Sequence, residues 1–378
     1  MKLMHLSDLH LGKKLSNYSL LEDQEYILRQ ILAVTDKECP DCVLIAGDVY
    51  DKSVPAAEAV PVFDRFLSAL AERGLPVFII SGNHDSAERL SFGAQIMKRS
   101  SIHIAPVYDG TVEPVTLSDD LGEVHFYMLP FIRPATVRHL FPDEEVNDYT
   151  DAVRLAVRQM NADPAARNVI LAHQFVGSAK IYKSEEIYAG GQENVSAEVF
   201  KDFDYTALGH LHRPQNVGSP RIRYCGTPLK YSFSEAGQEK SVTLVTLNQP
   251  GSLEVRTVPL SPLRDLRELR GSYLELTDRA NYEGTNREDY LHITLTDEED
   301  IPDGIAKLRV IYPNLMKLDY DNHRTRADRQ LQDLDDLTRR SPLDLFADFY
   351  AQQNGQPMSP EQTAFSARLM EQIWEGTP

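Results

Sequence analysis

An alternation of short apolar runs with helical segments is the feature of this sequence that most constrains its fold. Residues 1–12, 42–51 and 77–86 each predict a strand that ends in polar residues. Helices are expected between them, over 20–36, where Leu21, Tyr26, Ile27, Ile31, Leu32 and Val34 recur at helical spacing, and over 59–74, ending at Gly74. Later apolar runs end at His173 and at 209–212. The pattern predicts an α/β fold.

Polar side chains gather where each of these strands ends. Because strand ends of an α/β sheet lie along one edge, these side chains should meet there. In Asp8-x-His10 and His210-x-His212 the two side chains of each pair share a face of the extended chain. The full set comprises Asp8, His10, Asp48, Asp51, Asn83, His84, His173, His210 and His212. A lone histidine at such a position is more often structural, and His5, His103, His125, His139, His292 and His323 are interpreted that way.

The chemistry of the set indicates metal ions. Carboxylate, imidazole and amide ligands without thiolate favour Mn, Fe or Zn. The candidate ligands exceed what one ion needs, so two ions about 3.5–4 Å apart are expected, with Asp48 as the bridge. His84 is left over as a candidate acid. Such a site hydrolyses phosphate esters. The alternative for residues 81–86 alone is an ordinary strand-to-helix turn.

Composition adds weaker constraints. The 378 residues, 42% hydrophobic and 25% charged, favour a soluble protein of two or three domains. No apolar run approaches the ~18 residues of a membrane span and no signal peptide is visible, so a cytoplasmic protein is expected. The net charge of -18 argues mildly against broad nucleic-acid binding, although bound cations or a partner could supply positive charge.

The three cysteines give no disulfide framework. Cys39 and Cys42 form a C-x-x-C, but no second pair completes a zinc site, and Cys42 begins an apolar strand. We therefore expect Cys42 to be a small buried core residue.

The remainder of the chain divides into three parts. Residues 262–325 predict a small α/β module, with strands in 289–297 and 314–321 and a short helix near Pro302. Residues 326–340 predict a linker, and 341–378 a helical hairpin whose helices begin at Ser341-Pro342 and Ser359-Pro360. Its apolar stripe, at Phe365, Leu369, Ile373 and Trp374, packs either within the chain or on a partner helix.

Five motifs, in this order, carry a family resemblance: SDLHLG, LIAGDVYD, ISGNHDS, LAHQ and GHLH. Together they resemble the calcineurin-like metallophosphoesterase superfamily, and the flanking text, such as GTPLKYSFSEAGQEK, is similar to its double-strand-break repair nuclease branch. The resemblance implies two packed mixed β-sheets flanked by helices over 1–261, with a small α/β capping domain over 262–325 and C-terminal helices.

The resemblance also implies a role for each site residue. Asp8, His10 and His212 would hold one ion, and Asn83, His173 and His210 the other. Asp48 would bridge two divalent ions, with manganese favoured. His84 would be the acid, oriented by Asp51.

The implied activity is metal-dependent DNA cleavage, as a double-strand exonuclease and a single-strand and hairpin endonuclease. The implied partner is an SbcC-type ATPase bound by the C-terminal helices, with a homodimer inside a two-plus-two assembly; this chain has no P-loop and binds no nucleotide. Candidate DNA contacts are Lys13, Lys14, Arg89 and Arg213. The alternatives are a small-molecule or protein metallophosphoesterase and a non-catalytic scaffold.

Overall fold

The computed structural model describes residues 1–177, 193–323, 325, 342–354 and 357–375. The predicted linker and Ser341 lie outside the described residues. The strands are β1 Lys2–Leu6, β2 Lys14–Leu15, β3 Tyr18–Ser19, β4 Cys42–Ala46, β5 Val77–Ile80, β6 Ile102–Ile104, β7 Val115–Asp119, β8 Gly122–Met128, β9 Arg167–His173, β10 Tyr205–Gly209, β11 Gln215–Val217, β12 Ser219–Tyr224, β13 Ser241–Leu247, β14 Leu253–Pro259, β15 Leu266–Gly271, β16 Tyr290–Leu295 and β17 Leu315–Tyr320.

The helices connect these strands and follow them. They are α1 Leu21–Glu38, α2 Val60–Glu72, α3 Ala87–Leu90, α4 Ala94–Met97, α5 Pro134–Leu140, α6 Tyr149–Gln159, α7 Tyr273–Thr277, α8 Arg279–Tyr282, α9 Gly304–Arg309, α10 Pro342–Asn354 and α11 Pro360–Glu375. Both helices predicted between the first three main strands are confirmed, and Gly74 follows α2 in a left-handed conformation with φ of 71°.

Two six-stranded sheets form the main body. The first has the order β14-β13-β1-β4-β5-β6 and the second β11-β12-β10-β9-β8-β7. In the first sheet β1, β4, β5 and β6 are parallel, whereas β13 and β14 pair antiparallel. In the second sheet β12, β10, β9 and β8 are parallel, and each edge strand is antiparallel to its neighbour. Both sheets are therefore mixed, as expected.

The sheets pack face to face with helices outside. Alternation along β4 shows why: Val43 and Ile45 lie in the core under the helices, whereas Leu44 lies in the core between the sheets. Across that inner core the rings of Phe78 and Phe126 stack with centroids 4.4 Å apart. This layering confirms the predicted fold class and brings the carboxyl ends of the parallel strands of both sheets together.

A smaller parallel sheet, β15-β16-β17, forms the module that follows. The two strands predicted here are confirmed as β16 and β17. β15 was not predicted, because its alternating charged residues gave it no apolar run. The module packs on the main body through Asp23, which accepts hydrogen bonds from Arg264 at 3.0 Å and from the Tyr290 hydroxyl at 2.8 Å.

The C-terminal helices α10 and α11 pack on each other, and Gln362 donates to the Tyr350 hydroxyl at 3.0 Å. Ser359 caps α11 by accepting from the main-chain nitrogen of Gln362 at 3.2 Å, as predicted. Large apolar side chains remain exposed on both helices, namely Phe346, Phe349, Phe365 and Leu369. The side chains of Ile373 and Trp374 lie outside the described residues. Among the described helices, none is long and apolar enough to cross a membrane.

The cysteines are free thiols, as expected. Cys42 is fully buried in β4, where it packs between the sheets. Cys39 is exposed and ends α1 in a left-handed conformation. The C-x-x-C is therefore a helix end followed by a core residue.

Candidate active site

Hydrogen bonds between loops hold together the ends of three parallel strands of the first sheet. The main-chain nitrogen of Asp8, after β1, donates to the carbonyl of Gly47, after β4, at 3.0 Å. The main-chain nitrogen of His84, after β5, donates to the Asp48 carboxylate at 2.9 Å. These bonds fix three strand ends of the first sheet around one point, opposite the ends of β9 and β10.

One group of candidate ligands comprises Asp8, His10 and His212, whose ligand atoms all lie within 4.8 Å of one another. Asp8 and His10 are almost fully buried. Within the described part of the chain, neither ring nitrogen of His10 has a hydrogen-bond partner. A buried imidazole without partners is costly unless something else binds it.

A second group lies on the other side of Asp48. The Asn83 side-chain oxygen is 3.0 Å from His173 Nε2 and 3.0 Å from His210 Nδ1. Asp48 Oδ2 is 3.4 Å from His173 Nε2 and 3.7 Å from His10 Nε2, so its carboxylate reaches toward both groups. The seven predicted ligands are thus adjacent in space, with Asp48 between the two sets.

The backbone is unusual at four of these positions. Asp8, His10, Asp48 and His210 have φ values of 52°, 44°, 48° and 105°. Residues other than glycine rarely adopt positive φ, and such conformations persist only where the surroundings enforce them. The chain is therefore not extended at Asp8, His10 and His210, so the extended-strand spacing predicted for Asp8-x-His10 and His210-x-His212 is wrong, and loop conformations bring these side chains together.

Two glycines make the close approach of the sheets possible. A Cβ on Gly47, whose φ is 87°, would lie 2.8 Å from His173 Cγ. A Cβ on Gly209 would strike the carbonyl oxygen of Ala46 and come within 2.7 Å of His173 Nδ1. Only glycine fits between the His173 ring and the backbone of the first sheet.

The pKa values of the buried histidines are shifted in opposite directions. Burial lowers the pKa of His10 well below its usual value, and burial together with the charge of His173 lowers the pKa of His210 to about 3. Both imidazoles are therefore neutral at pH 7, which is the form that binds metals. Burial opposes a charge on His173 as well, but the Asp48 carboxylate raises the pKa of His173 to about 9. A cation bound between these two side chains would displace that proton.

His84 lies on the rim of the group. Its ring packs edge-on against His10 with centroids 4.9 Å apart, and its Nδ1 is 3.0 Å from the main-chain oxygen of Asp51. The Asp51 carboxylate accepts from Lys13 Nζ at 2.7 Å and lies within 4.8 Å of a ring nitrogen of both His10 and His84. The described contact of His84 Nδ1 is thus with the main chain of Asp51, whereas the prediction gave the orienting role to the Asp51 carboxylate.

A cavity of about 310 Å³ opens beside His84. It is lined by Asn83, His84, Phe131, Arg133 and Glu193. The guanidinium of Arg133 lies 5.7 Å from the centre of the Phe131 ring. Phe131 and Arg133 were missed in the sequence because they follow β8, whose end carries no metal-ligand motif.

Asp85 was also missed as a structural element of the site. Its carboxylate accepts hydrogen bonds from the main-chain nitrogens of Gly82, Val49 and Tyr50 at 3.0, 3.1 and 2.9 Å. Burial, and then the nearby charge of Asp48, raise the pKa of Asp85 to about 6. Asp85 therefore ties the loop after β4 to the loop after β5. Its place in the motif GNHD was the available signal.

The four candidate DNA contacts differ in their surroundings. Lys13 pairs with Asp51, and Arg89 donates to the carbonyl of Ser53 at 2.7 Å. Lys14 and Arg213 have exposed side chains. At least two of the four candidates thus have intramolecular partners that a phosphate would have to replace.

The fold and the site define a class of protein. The family model for the calcineurin-like phosphoesterases matches residues 1–214, and a second model, described as the type 5 capsule protein repressor C-terminal domain, matches residues 262–354. The chain belongs to the calcineurin-like phosphoesterase family. Over 370 residues it is 34% identical to the SbcD component of the nuclease SbcCD from Staphylococcus epidermidis, with 96% of each chain covered.

Solved structures also match. A Thermus thermophilus protein aligns with a TM-score of 0.38 at 14% identity, over 68% of this chain and 98% of its own. A dimetal phosphatase from Danio rerio aligns with a TM-score of 0.40 at 12% identity, over 70% of this chain and 98% of its own.

The fold of this family implies divalent cations, and the donor set fits them. The ring nitrogens of buried His10 have no hydrogen-bond partner within the described residues, and a bound cation would satisfy one of them. Around them stand carboxylate, imidazole and amide donors without a thiolate, a set suited to borderline and hard ions.

Proposed function

We propose that this chain is a metal-dependent DNA nuclease that hydrolyses phosphodiesters at a site for two divalent ions. The observation that carries the proposal is the position of the Asp48 carboxylate, within 3.7 Å of His10 Nε2 and 3.4 Å of His173 Nε2. The relative from Staphylococcus epidermidis, named a nuclease and matched over nearly its whole length, supports a nucleic acid as the substrate.

In this proposal Asp8, His10 and His212 hold one ion. Asn83, His173 and His210 hold the other, and Asp48 bridges them. Two such ions polarise a phosphate oxygen and lower the pKa of a bound water near the phosphorus. Imidazole, carboxylate and amide ligands suit Mn, Fe or Zn, and manganese is the ion we propose because the family resemblance favours it.

His84 is the proposed acid. Since the Asp51 main-chain oxygen can only accept, His84 Nδ1 carries a hydrogen, and Nε2 is the nitrogen proposed to give a proton to the leaving oxygen. The Asp51 carboxylate lies within 4.8 Å of a ring nitrogen of His84, and Asp51 is the residue proposed to position this acid.

The cavity beside His84 is the proposed place of the nucleotide next to the scissile bond. Arg133 would pair with a phosphate, and Phe131 offers an aromatic face to a base. Lys13, Lys14, Arg89 and Arg213 are proposed as outer phosphate contacts. The duplex exonuclease and the single-strand and hairpin endonuclease activities belong to the same proposal.

The C-terminal helices are the proposed docking element for an SbcC-type ATPase. Four large apolar side chains on the described turns of α10 and α11 are exposed, and the similar protein is named as part of a complex. Deleting residues 341–378 should abolish association with the ATPase and leave basal hydrolysis. Unchanged co-purification would refute this assignment. We further propose that two copies of this chain form a homodimer and assemble with two copies of the ATPase.

The test of the function uses the purified chain with its ATPase partner, ATP and Mn²⁺. Linear duplex and hairpin DNA are compared with bis-p-nitrophenyl phosphate, for the wild type, His84→Ala and the exposed control His139→Ala. We expect DNA cleavage that is lost only in His84→Ala, with metal binding retained. Hydrolysis of the small diester without DNA cleavage would move the protein to the small-substrate phosphodiesterases, and absence of both would favour a scaffold.

A further inference from the structure

His212, one of the candidate ligands, is held by a buried carboxylate. Its Nδ1 lies 3.0 Å from Oε1 of Glu235. Glu235 ends a short 3₁₀ turn, Phe233–Glu235, in the loop between β12 and β13, and its side chain is completely buried. With Nδ1 bonded to Glu235, Nε2 is the ring nitrogen through which His212 would bind an ion shared with Asp8 and His10.

A lysine fixes the other side of that carboxylate. Lys240 Nζ lies 2.6 Å from Glu235 Oε2 and 2.7 Å from the Thr227 hydroxyl, and its side chain is only 4% exposed. The same ammonium donates to the main-chain oxygen of His212 at 3.0 Å. Residues 227–240, which we call the 227–240 loop, thus form hydrogen bonds with both the ring and the main chain of His212.

The 227–240 loop also contacts a second ligand of the same group. The ring centroid of Tyr231 lies 6.1 Å from that of His212 and 5.5 Å from that of His10, and its hydroxyl donates to the main-chain oxygen of Leu9. The ligands on the other side of Asp48 are held differently. There, His173 Nδ1 meets the main-chain oxygen of Ala46 at 2.8 Å, which is a neutral partner.

We propose that Glu235, anchored by Lys240, is a positioning residue that orients His212 and makes it a stronger ligand for one of the two ions. The inference rests on the proposed function, because it assumes that Asp8, His10 and His212 bind a cation. A carboxylate that accepts from the distal nitrogen of a metal-bound histidine fixes the ring and increases its basicity, and losing it typically costs about 10- to 100-fold in metal affinity.

The buried ion pair itself argues for such a role. Burying Glu235 and Lys240 carries a desolvation cost that a pair of apolar side chains would avoid. A pair that served only packing would need no contact with a ligand. Here both members bond His212, one through the ring and one through the carbonyl.

The test is Mn²⁺ binding, measured by calorimetry and by electron paramagnetic resonance on the full chain. Asn83→Ala should first remove the ion on the far side of Asp48 and leave one ion at His212. In that background Glu235→Gln should lower the affinity for the remaining ion about 10- to 100-fold. In the otherwise wild-type chain Glu235→Gln should lower the affinity for one ion and leave the affinity for the other unchanged. Glu239→Gln, an exposed neighbour in the same loop, should change neither.

A second variant separates loss of metal affinity from loss of folding. Glu235→Gln leaves Lys240 charged and buried, so the double variant Glu235→Gln/Lys240→Met removes both charges together. We expect the double variant to melt near the wild-type temperature. Its affinity for the ion at His212 should still be lowered. Equal weakening of both ions, or unchanged affinity in a folded double variant, would overturn the inference. Failure of the wild type to bind Mn²⁺ would instead overturn the proposed function.

Discussion

The main-chain nitrogen of His210 donates a hydrogen bond to the carboxylate of Asp8 at 3.0 Å, between residues 202 positions apart in the chain. Asp8 follows the first strand of one sheet and His210 follows β10 of the other. A candidate metal ligand therefore also joins the two sheets. Variants of Asp8 will therefore mix loss of metal with loss of structure, so cleaner tests come from residues around it.

Gly47→Ala tests the space beside His173. Gly47 and Gly74 both have positive φ, 87° and 71°, so alanine at either costs about 1–2 kcal/mol of backbone strain. A Cβ at Gly47 would press on the His173 ring, whereas a Cβ at Gly74 has nothing within 4 Å. We expect a larger loss of stability in Gly47→Ala than in Gly74→Ala, and loss of Mn²⁺ binding and diester hydrolysis in Gly47→Ala alone. Equal activity of the two variants would contradict the packing described.

Asp85→Ala tests how the loops after β4 and β5 are held. It removes the acceptor of three main-chain donors, at Gly82, Val49 and Tyr50. We expect a loss of at least about 2 kcal/mol in the free energy of unfolding, measured by urea denaturation. The exposed Asp64→Ala should stay within about 0.5 kcal/mol of the wild type. A loss no larger than that of the control would mean that water satisfies these donors.

Arg133→Ala tests the cavity beside His84. We expect weaker DNA binding and a salt dependence whose slope falls by about one, because one phosphate contact is lost. The matched variant is Arg138→Ala, which makes the same change of charge on α5 outside the cavity lining. Binding is measured by fluorescence anisotropy across salt concentrations. Identical slopes for the two variants would remove Arg133 from the substrate site.

Asp119→Asn tests a pH-dependent contribution to stability far from the metal ligands. Asp119 accepts hydrogen bonds from Arg167 Nη1 and Nη2 at 3.0 and 2.6 Å, and these bonds hold the pKa of Asp119 well below its usual value. A lowered folded-state pKa stabilises the fold above the unfolded pKa of about 3.9, and that stabilisation disappears as the pH falls toward the folded value.

Accordingly, Asp119→Asn should be less stable than the wild type at pH 7, and the difference should shrink below about pH 4. Urea denaturation at pH 7, 5 and 3 measures it. Asp120→Asn, at the exposed neighbouring position, should show no such trend. A difference that stays constant with pH would show that Asp119 acts through its shape rather than through its charge.

The sequence predicted what depends on local periodicity. Apolar runs at 42–46 and 77–80 could only be buried strands, and the rule that parallel strands share an edge then placed Asp48 beside Asn83. β15 escaped prediction because Arg267, Glu268 and Arg270 interrupt its apolar residues. Such a strand is specified by its neighbour β16 more than by its own pattern.

The missed site residues share a different cause. Glu235 bonds a ring 23 positions away, and nothing in a single sequence shows that it points inward. For Asp85 the motif GNHD was a signal, but not of the backbone donors that it bonds after β4. The partner of His84 Nδ1 was missed for the same reason, since a main-chain oxygen of Asp51 has no sequence signature. Contacts that depend on rotamers and loop paths become visible only when the sheets are packed.

The separation between the first and last candidate ligands bears on synthesis of the chain. Asp8 and His10 leave the ribosome early, but His210 and His212 emerge 202 residues later, only after β9. A growing chain therefore cannot complete either half of the site until most of the second sheet has been made. On the proposed function, cutting activity would be withheld from truncated products of translation, which would protect the cell's DNA from incomplete copies of the enzyme.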